Sequence, residues 1–207
     1  MAAGFSSGVL MPAPPIAADG VALHAIPASG GRVVTLAKWM LLYHDFLTWC
    51  GTRLVASVGP IRDSTLGKYL VTAKPPRWRA ARLVRTRSRS WVSPACSPSG
   101  ATIAAAAGRN FGEPRFGLEH RSLWLLPASG GSVRRLTVPP AGATDESPRW
   151  SRDGRSLLFV RTRHFFGHLY LVRRNGALTG PIARVGWNPP YYGTYGWGDQ
   201  LDWYQAH

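Results

Sequence analysis

The sequence predicts an all-β chain of the β-propeller class, with about four blades, each a four-stranded antiparallel sheet. Three observations predict it. A unit of about fifty residues recurs along the chain. Each unit divides into four short apolar or alternating stretches set off by turn residues. Gly (23) and Pro (17) are plentiful while charged residues make up 17%, a composition that suits short strands joined by tight turns.

The repeat is clearest in Leu123–Gly131 (LWLLPASGG) and Leu23–Gly31 (LHAIPASGG), which share PASGG and lie 100 residues apart (123 − 23). Fainter copies start at Tyr69 (YLVTAKPP) and Leu169 (LYLVRRNG), giving steps of 46, 54 and 46. Each copy ends in a short apolar stretch, VVTL, ARLV, RRLT or IARV. A second marker runs in step with the first. SPRWSRDGRSLLFVR begins at Ser147, SPACSPSGATIAAAAG at Ser93, FLTWCGTRLVASVG at Phe46 and YGWGDQLDWY at Tyr195. Trp49, Cys96, Trp150 and Trp197 then step by 47, 54 and 47. Two markers with one stagger define a structural unit.

Within a unit, a first strand ends near Cys96 or Trp150. A tight turn follows at Ser99-Gly100 or Asp153-Gly154, residues that tolerate the positive φ of two-residue hairpins. The next stretch, Thr102 to Ala107 or Leu157 to Val160, is continuously apolar and too short for a helix, as a strand buried on both faces should be. A third strand, Leu123 to Leu126 or Leu169 to Val172, leads to a glycine turn at Gly130-Gly131 or Asn175-Gly176. The RRLT-like stretch closes the unit as a fourth strand.

SPRWSRDGRSLLFV, then LYLV, a glycine turn and RRLT together resemble the TolB-type, WD-like propeller repeat (PD40-like). The resemblance runs over nearly the whole chain from about Gly8 and is strongest between Ser93 and Val172. It implies a single propeller domain over 1–207, divided into a partial blade (1–36), three blades (46–84, 91–137 and 147–185) and a partial blade (195–207). The family commonly closes its ring with more blades, so the sequence as given reads as an incomplete larger propeller, unless its two end units complete one shared blade. In that case the ring closes and a monomer is expected.

The formal net charge is +15, from 25 basic and 10 acidic residues. Such an excess draws phosphate backbones and acidic lipid surfaces. Arg is abundant together with Ala, Gly and Pro while Lys is scarce, which favours a G+C-rich coding sequence as the source of the excess. Cys50 and Cys96 have no metal-ligand spacing around them and are expected as buried free thiols. Residues 1–20 carry no Lys or Arg and so lack the charged start of a signal peptide, which by default points to the cytoplasm, or outside it if the true start lies upstream. No apolar run approaches the length of a bilayer span.

No GxSxG, GxxxxGK[ST] or HExxH pattern occurs, so no catalytic residue, cofactor or metal is expected. GTYGWG (Gly193–Gly198) has its glycines in the wrong order for a dinucleotide fingerprint. His164 and His168 stand four apart, but Gly167 between them suits a hairpin and not a metal-binding helix. Asp199 and Asp202 fall on opposite faces of any strand, and Asp145-Glu146 read as turn-capping residues at a blade entrance. Trp49, Trp150 and Trp197 recur at one repeat position and are expected in the core. Aromatics that do not recur are the candidates for recognition: Trp187, Tyr191, Tyr192 and Tyr195 in WNPPYYGTYGW, with Trp203 beyond it. Arg77, Trp78 and Arg79 form a second candidate, at the head of a basic aromatic stretch (77–91) that could contact phosphates and bases or read as one strand with a solvated Arg face.

These residues favour a non-catalytic propeller that offers loops and a face to a protein or peptide. Two alternatives stand beside it: the gating propeller of a prolyl-oligopeptidase-like serine peptidase, and a nucleic-acid or anionic-surface binder.

Overall fold

In the computed structural model, the described residues are 2–7, 20–40, 47–58, 69–84, 88–109, 120–164, 166–187 and 203. They form β-strands in chain order: β1 (Ala2–Ser7), β2 (Gly20–Ile26), β3 (Val34–Met40), β4 (Leu47–Cys50), β5 (Arg53–Val58), β6 (Tyr69–Ala73), β7 (Ala81–Arg82), β8 (Arg89–Cys96), β9 (Thr102–Arg109), β10 (Ser122–Pro127), β11 (Arg134–Arg135), β12 (Ala143–Trp150), β13 (Ser156–Arg163), β14 (Phe166–Arg173) and β15 (Leu178–Trp187). Every pairing joins strands consecutive in sequence, antiparallel, into sheets β1-β2-β3, β4-β5-β6-β7, β8-β9-β10-β11 and β12-β13-β14-β15. The molecule is all-β, and these meander sheets are the blades of a propeller.

Alternation along β9 shows how one blade serves two neighbours. Ile103, Ala105 and Ala107 face one way, into a core with Val55, Leu70, Trp91 and Leu126. Ala104 and Ala106 face the other way, into a core with Leu123, Leu157, Phe159 and Val172. Both faces are dry, so a strand poor in β-formers still holds its place by burial. The Ala run leaves room for large partners across the sheet: Trp91 pairs with Ala107 and Trp124 with Ala105. Burying Trp91 fully, a ring of about 200 Å², stabilises by roughly 3 kcal/mol or more.

The turns predicted at Ser99-Gly100 and Asp153-Gly154 are built alike. Gly100 N–H donates to Ser97 O (2.8 Å) and Gly154 N–H to Ser151 O (2.9 Å). Their φ values of 71° and 68° lie in the left-handed region that costs glycine least. The first strands of the same blades share another feature. Ser93 (φ 50°) and Ser147 (φ 52°) occupy left-handed backbone at β-bulges, each before a proline and 54 residues apart (147 − 93).

Three expectations are corrected. Cys50 and Cys96 are joined in a disulfide, with Cα atoms 5.4 Å apart. Each ends the first strand of its blade, and the packing of neighbouring blades places those ends side by side; spacing along the chain carries no trace of that. Trp49 is not in the core but 46% exposed, because it lies on the rim where β4 turns into β5. Trp150 is half-buried, its indole N–H donating to Ala95 O (3.0 Å) in the neighbouring blade. Asp145 and Glu146 are not turn caps. They are buried within β12. The repeat-equivalent Trp197 and the pair Asp199 and Asp202 lie outside the described residues.

Candidate functional site

Strand direction sorts the functional candidates onto two ends of the blades. One end carries the β4–β5, β8–β9 and β12–β13 turns together with the turns after β6, β10 and β14. There the Trp49 and Trp78 rings meet edge to face, centroids 6.0 Å apart at 78°, a favoured aromatic geometry. Trp78 holds a positive φ of 48° and is half-buried, while Arg77 and Arg79 on either side are exposed. Where one strand with a basic loop was expected over 77–91, the described residues 77–84 and 88–91 hold two separate strand segments. β7 takes Ala81–Arg82, Leu83 and Val84 turn into the core, and β8 begins at Arg89.

Close by, the ends of β4, β8 and β12 surround a cleft of about 310 Å³ lined by Leu47, Thr48, Pro94, Ala95, Cys96, Pro98, Arg149, Trp150 and Trp203. Trp203 therefore belongs with this end. Three bonds tie the blades together around the cleft: the Cys50–Cys96 disulfide, Cys96 N–H to Thr48 Oγ1 (3.4 Å) and the Trp150–Ala95 hydrogen bond. The Ser147 hydroxyl, on the bulge of β12, is buried without a hydrogen-bond partner among the described residues.

The opposite end carries the β13–β14 hairpin. Arg163, His164, Phe166, His168 and Arg184 line an open groove of about 610 Å³, and Trp187 stands opposite Phe166 in the β14–β15 pairing. The structure thus separates the predicted residues. Trp78, Arg77, Arg79 and Trp203 share one end and Trp187 lies at the other. Tyr191, Tyr192 and Tyr195 lie outside the described residues.

Just inside this end is a buried ionic network that the sequence did not disclose. Arg161 donates to both carboxylate oxygens of Asp145 through Nε (2.6 Å) and Nη2 (2.8 Å). Glu146 lies 3.5 Å from Arg121 and accepts from Thr162 Oγ1 (3.1 Å). Burial is the largest influence on both carboxyls and raises them above their ordinary range, against the opposing pull of Arg161 on Asp145 and of Arg121 on Glu146. The one available signal was the rarity of acids in the chain, which makes two adjacent ones conspicuous. On the surface, by contrast, Asp153 is held below the usual range by the Ser151 hydroxyl that donates to it (2.6 Å).

His164 sits at the turn between β13 and β14, and His168 pairs with Arg161 within the sheet. Among the described residues no three His, Cys, Asp or Glu gather where one metal ion could be held. Those residues include no helix long and apolar enough to cross a membrane.

No family model matches the chain. No curated protein matches it in sequence. Solved structures do match. A putative TolB from Agrobacterium tumefaciens is similar at 16% identity and a TM-score of 0.60, over 83% of this chain and 59% of that one. TolB from Acinetobacter baumannii gives 13% identity and a TM-score of 0.57, over 81% and 38%. Prolyl oligopeptidase B from Galerina marginata gives 10% and 0.55, over 88% and 25%. This chain spans less than two thirds of the length of each. Its fold is that of a TolB-like β-propeller. At these identities the likeness concerns fold alone.

Proposed function

We propose that the chain is a non-catalytic, TolB-like propeller scaffold that binds a protein or peptide at the end carrying Trp49, Trp78 and Trp203. The observation that supports this reading is the exposure of Trp49 at a repeat position where Trp150 is drawn in and hydrogen-bonded. A tryptophan held on the rim, braced by a second ring and flanked by Arg77 and Arg79, has the makeup of an interface hot spot. The cleft beside it adds depth for an anchoring side chain. The Cys50–Cys96 bond fits work in an oxidising compartment, where such bonds persist. Affinity capture with wild type and with W49A/W78A tests the reading. Partners retained by wild type should be lost from the variant, while a variant altered at exposed Arg109, at the opposite end of the blades, keeps them. Equal capture by all three sinks it.

A second reading, the propeller portion of a prolyl-oligopeptidase-like serine peptidase, draws on the similarity in fold to prolyl oligopeptidase B. A GxSxG-bearing hydrolase segment in the neighbouring reading frame supports it, and a flanking sequence without one removes it. The third, an anionic-surface binder, draws on the +15 charge and requires affinity that falls steeply with salt.

A further inference from the structure

We propose that the groove between the β13–β14 hairpin and β15 receives a short acidic peptide segment, independently of the aromatic end. Two guanidiniums, Arg163 and Arg184, and two imidazoles, His164 and His168, line it around Phe166, and no carboxylate does among the described residues. Among the described residues, the acids of the paired strand β12 are committed inward: Asp145 to Arg161 and Glu146 to Arg121. Arg163 and Arg184 face outward, and among the described residues neither has an ion-pair or hydrogen-bond partner. Arg184 instead lies over the Phe166 ring, 4.8 Å from its centroid. Stacking fixes the guanidinium plane and leaves its edge donors free for a carboxylate fork.

The repeat shows that this chemistry is not demanded by the fold. At the 46-residue step that relates Leu169 to Leu123 (169 − 123), His168 stands where the preceding blade has Ser122 (168 − 122), a buried residue. Shape then narrows the ligand. The lining side chains are exposed or half-buried, so a small molecule would stay largely in water, unlike one in an enclosed pocket. A nucleic acid would want an open ring for base stacking, and one face of the Phe166 ring is already taken by Arg184. An extended acidic segment needs only the charge and a shallow trough.

Fluorescence anisotropy with labelled octaglutamate, octaglutamine and an oligothymidylate of equal length tests this. Octaglutamate should bind and octaglutamine should not. R163A/R184A should weaken octaglutamate binding about tenfold, as loss of two charge-assisted forks predicts. R77A/R79A removes equal charge at the other end of the blades and should change it little. In the unaltered protein, octaglutamate should shield Arg163 and Arg184 from phenylglyoxal, a readout that does not depend on any variant folding. No octaglutamate binding, or no shielding, overturns the proposal. So does equal weakening in both double variants, which would make overall charge the cause. Tighter oligothymidylate binding that depends on Arg163 and Arg184 would overturn it in favour of a nucleic-acid face.

Discussion

Asp145 and Glu146 occupy the positions that Trp91 and Val92 hold in the preceding blade (145 − 91 and 146 − 92, each 54). The same buried slot is thus filled by a large ring against Ala107 in one blade and by a carboxylate against Arg161 in the next. A buried ion pair adds little over an apolar pair of equal shape, but breaking one is costly because its partner is stranded. Asp145→Ala should therefore lower stability by about 3 kcal/mol, read from denaturant unfolding. The pH dependence follows from the sign of the shifts. Glu146 is raised above its ordinary 4.5 by burial. Its contribution is complete below the unfolded value and is lost as pH rises through the folded one. The stability of wild type relative to E146Q should therefore fall as pH rises above the ordinary glutamate value of 4.5. A difference that grows with pH would show that Arg121 outweighs burial.

At the scale of elements, blades are joined where first strands end. The Cys50–Cys96 bond spans 46 residues in sequence and links the ends of β4 and β8. Closing a loop of that length in the unfolded chain is worth about 4 kcal/mol by chain entropy. C50S/C96S, or reduction of the wild type, should lower the denaturation midpoint by a corresponding amount; an unchanged midpoint would mean that packing alone aligns the two blades. The glycine turns are a smaller test. Gly154, at φ 68° with only Pro98 Cδ nearby at 3.7 Å, should lose about 1 kcal/mol on Gly154→Ala from backbone strain alone. The glycines of these turns were readable beforehand, since a tight turn constrains its own residues, although the connections run over 97–101 and 151–155 and are not two-residue loops. The cysteine pairing was not, because it joins residues that only neighbouring blades bring together.

Over the whole molecule, burial is uneven in a way that predicts dynamics. β8 and β9 lie between two dry cores, those containing Trp91 and Phe159. β15 presents Leu178 and Ile182 to solvent at 46% and 54% exposure. Hydrogen exchange should accordingly be slowest in β8, β9 and β13 and markedly faster in β15. Uniform protection would mean that the blades open only together. The sequence alone determined the repeat, the all-β class, the tight turns and the apolar second strands. Each of these is a local matter of period, turn chemistry and strand length, written in neighbouring residues. Which aromatics are exposed, which cysteines meet, where two acids find their arginines, and that Trp78 and Trp187 stand at opposite ends of the blades were decided by tertiary structure. Those relations arise between strands of different blades and between the two ends of one strand, and no spacing along the chain encodes them.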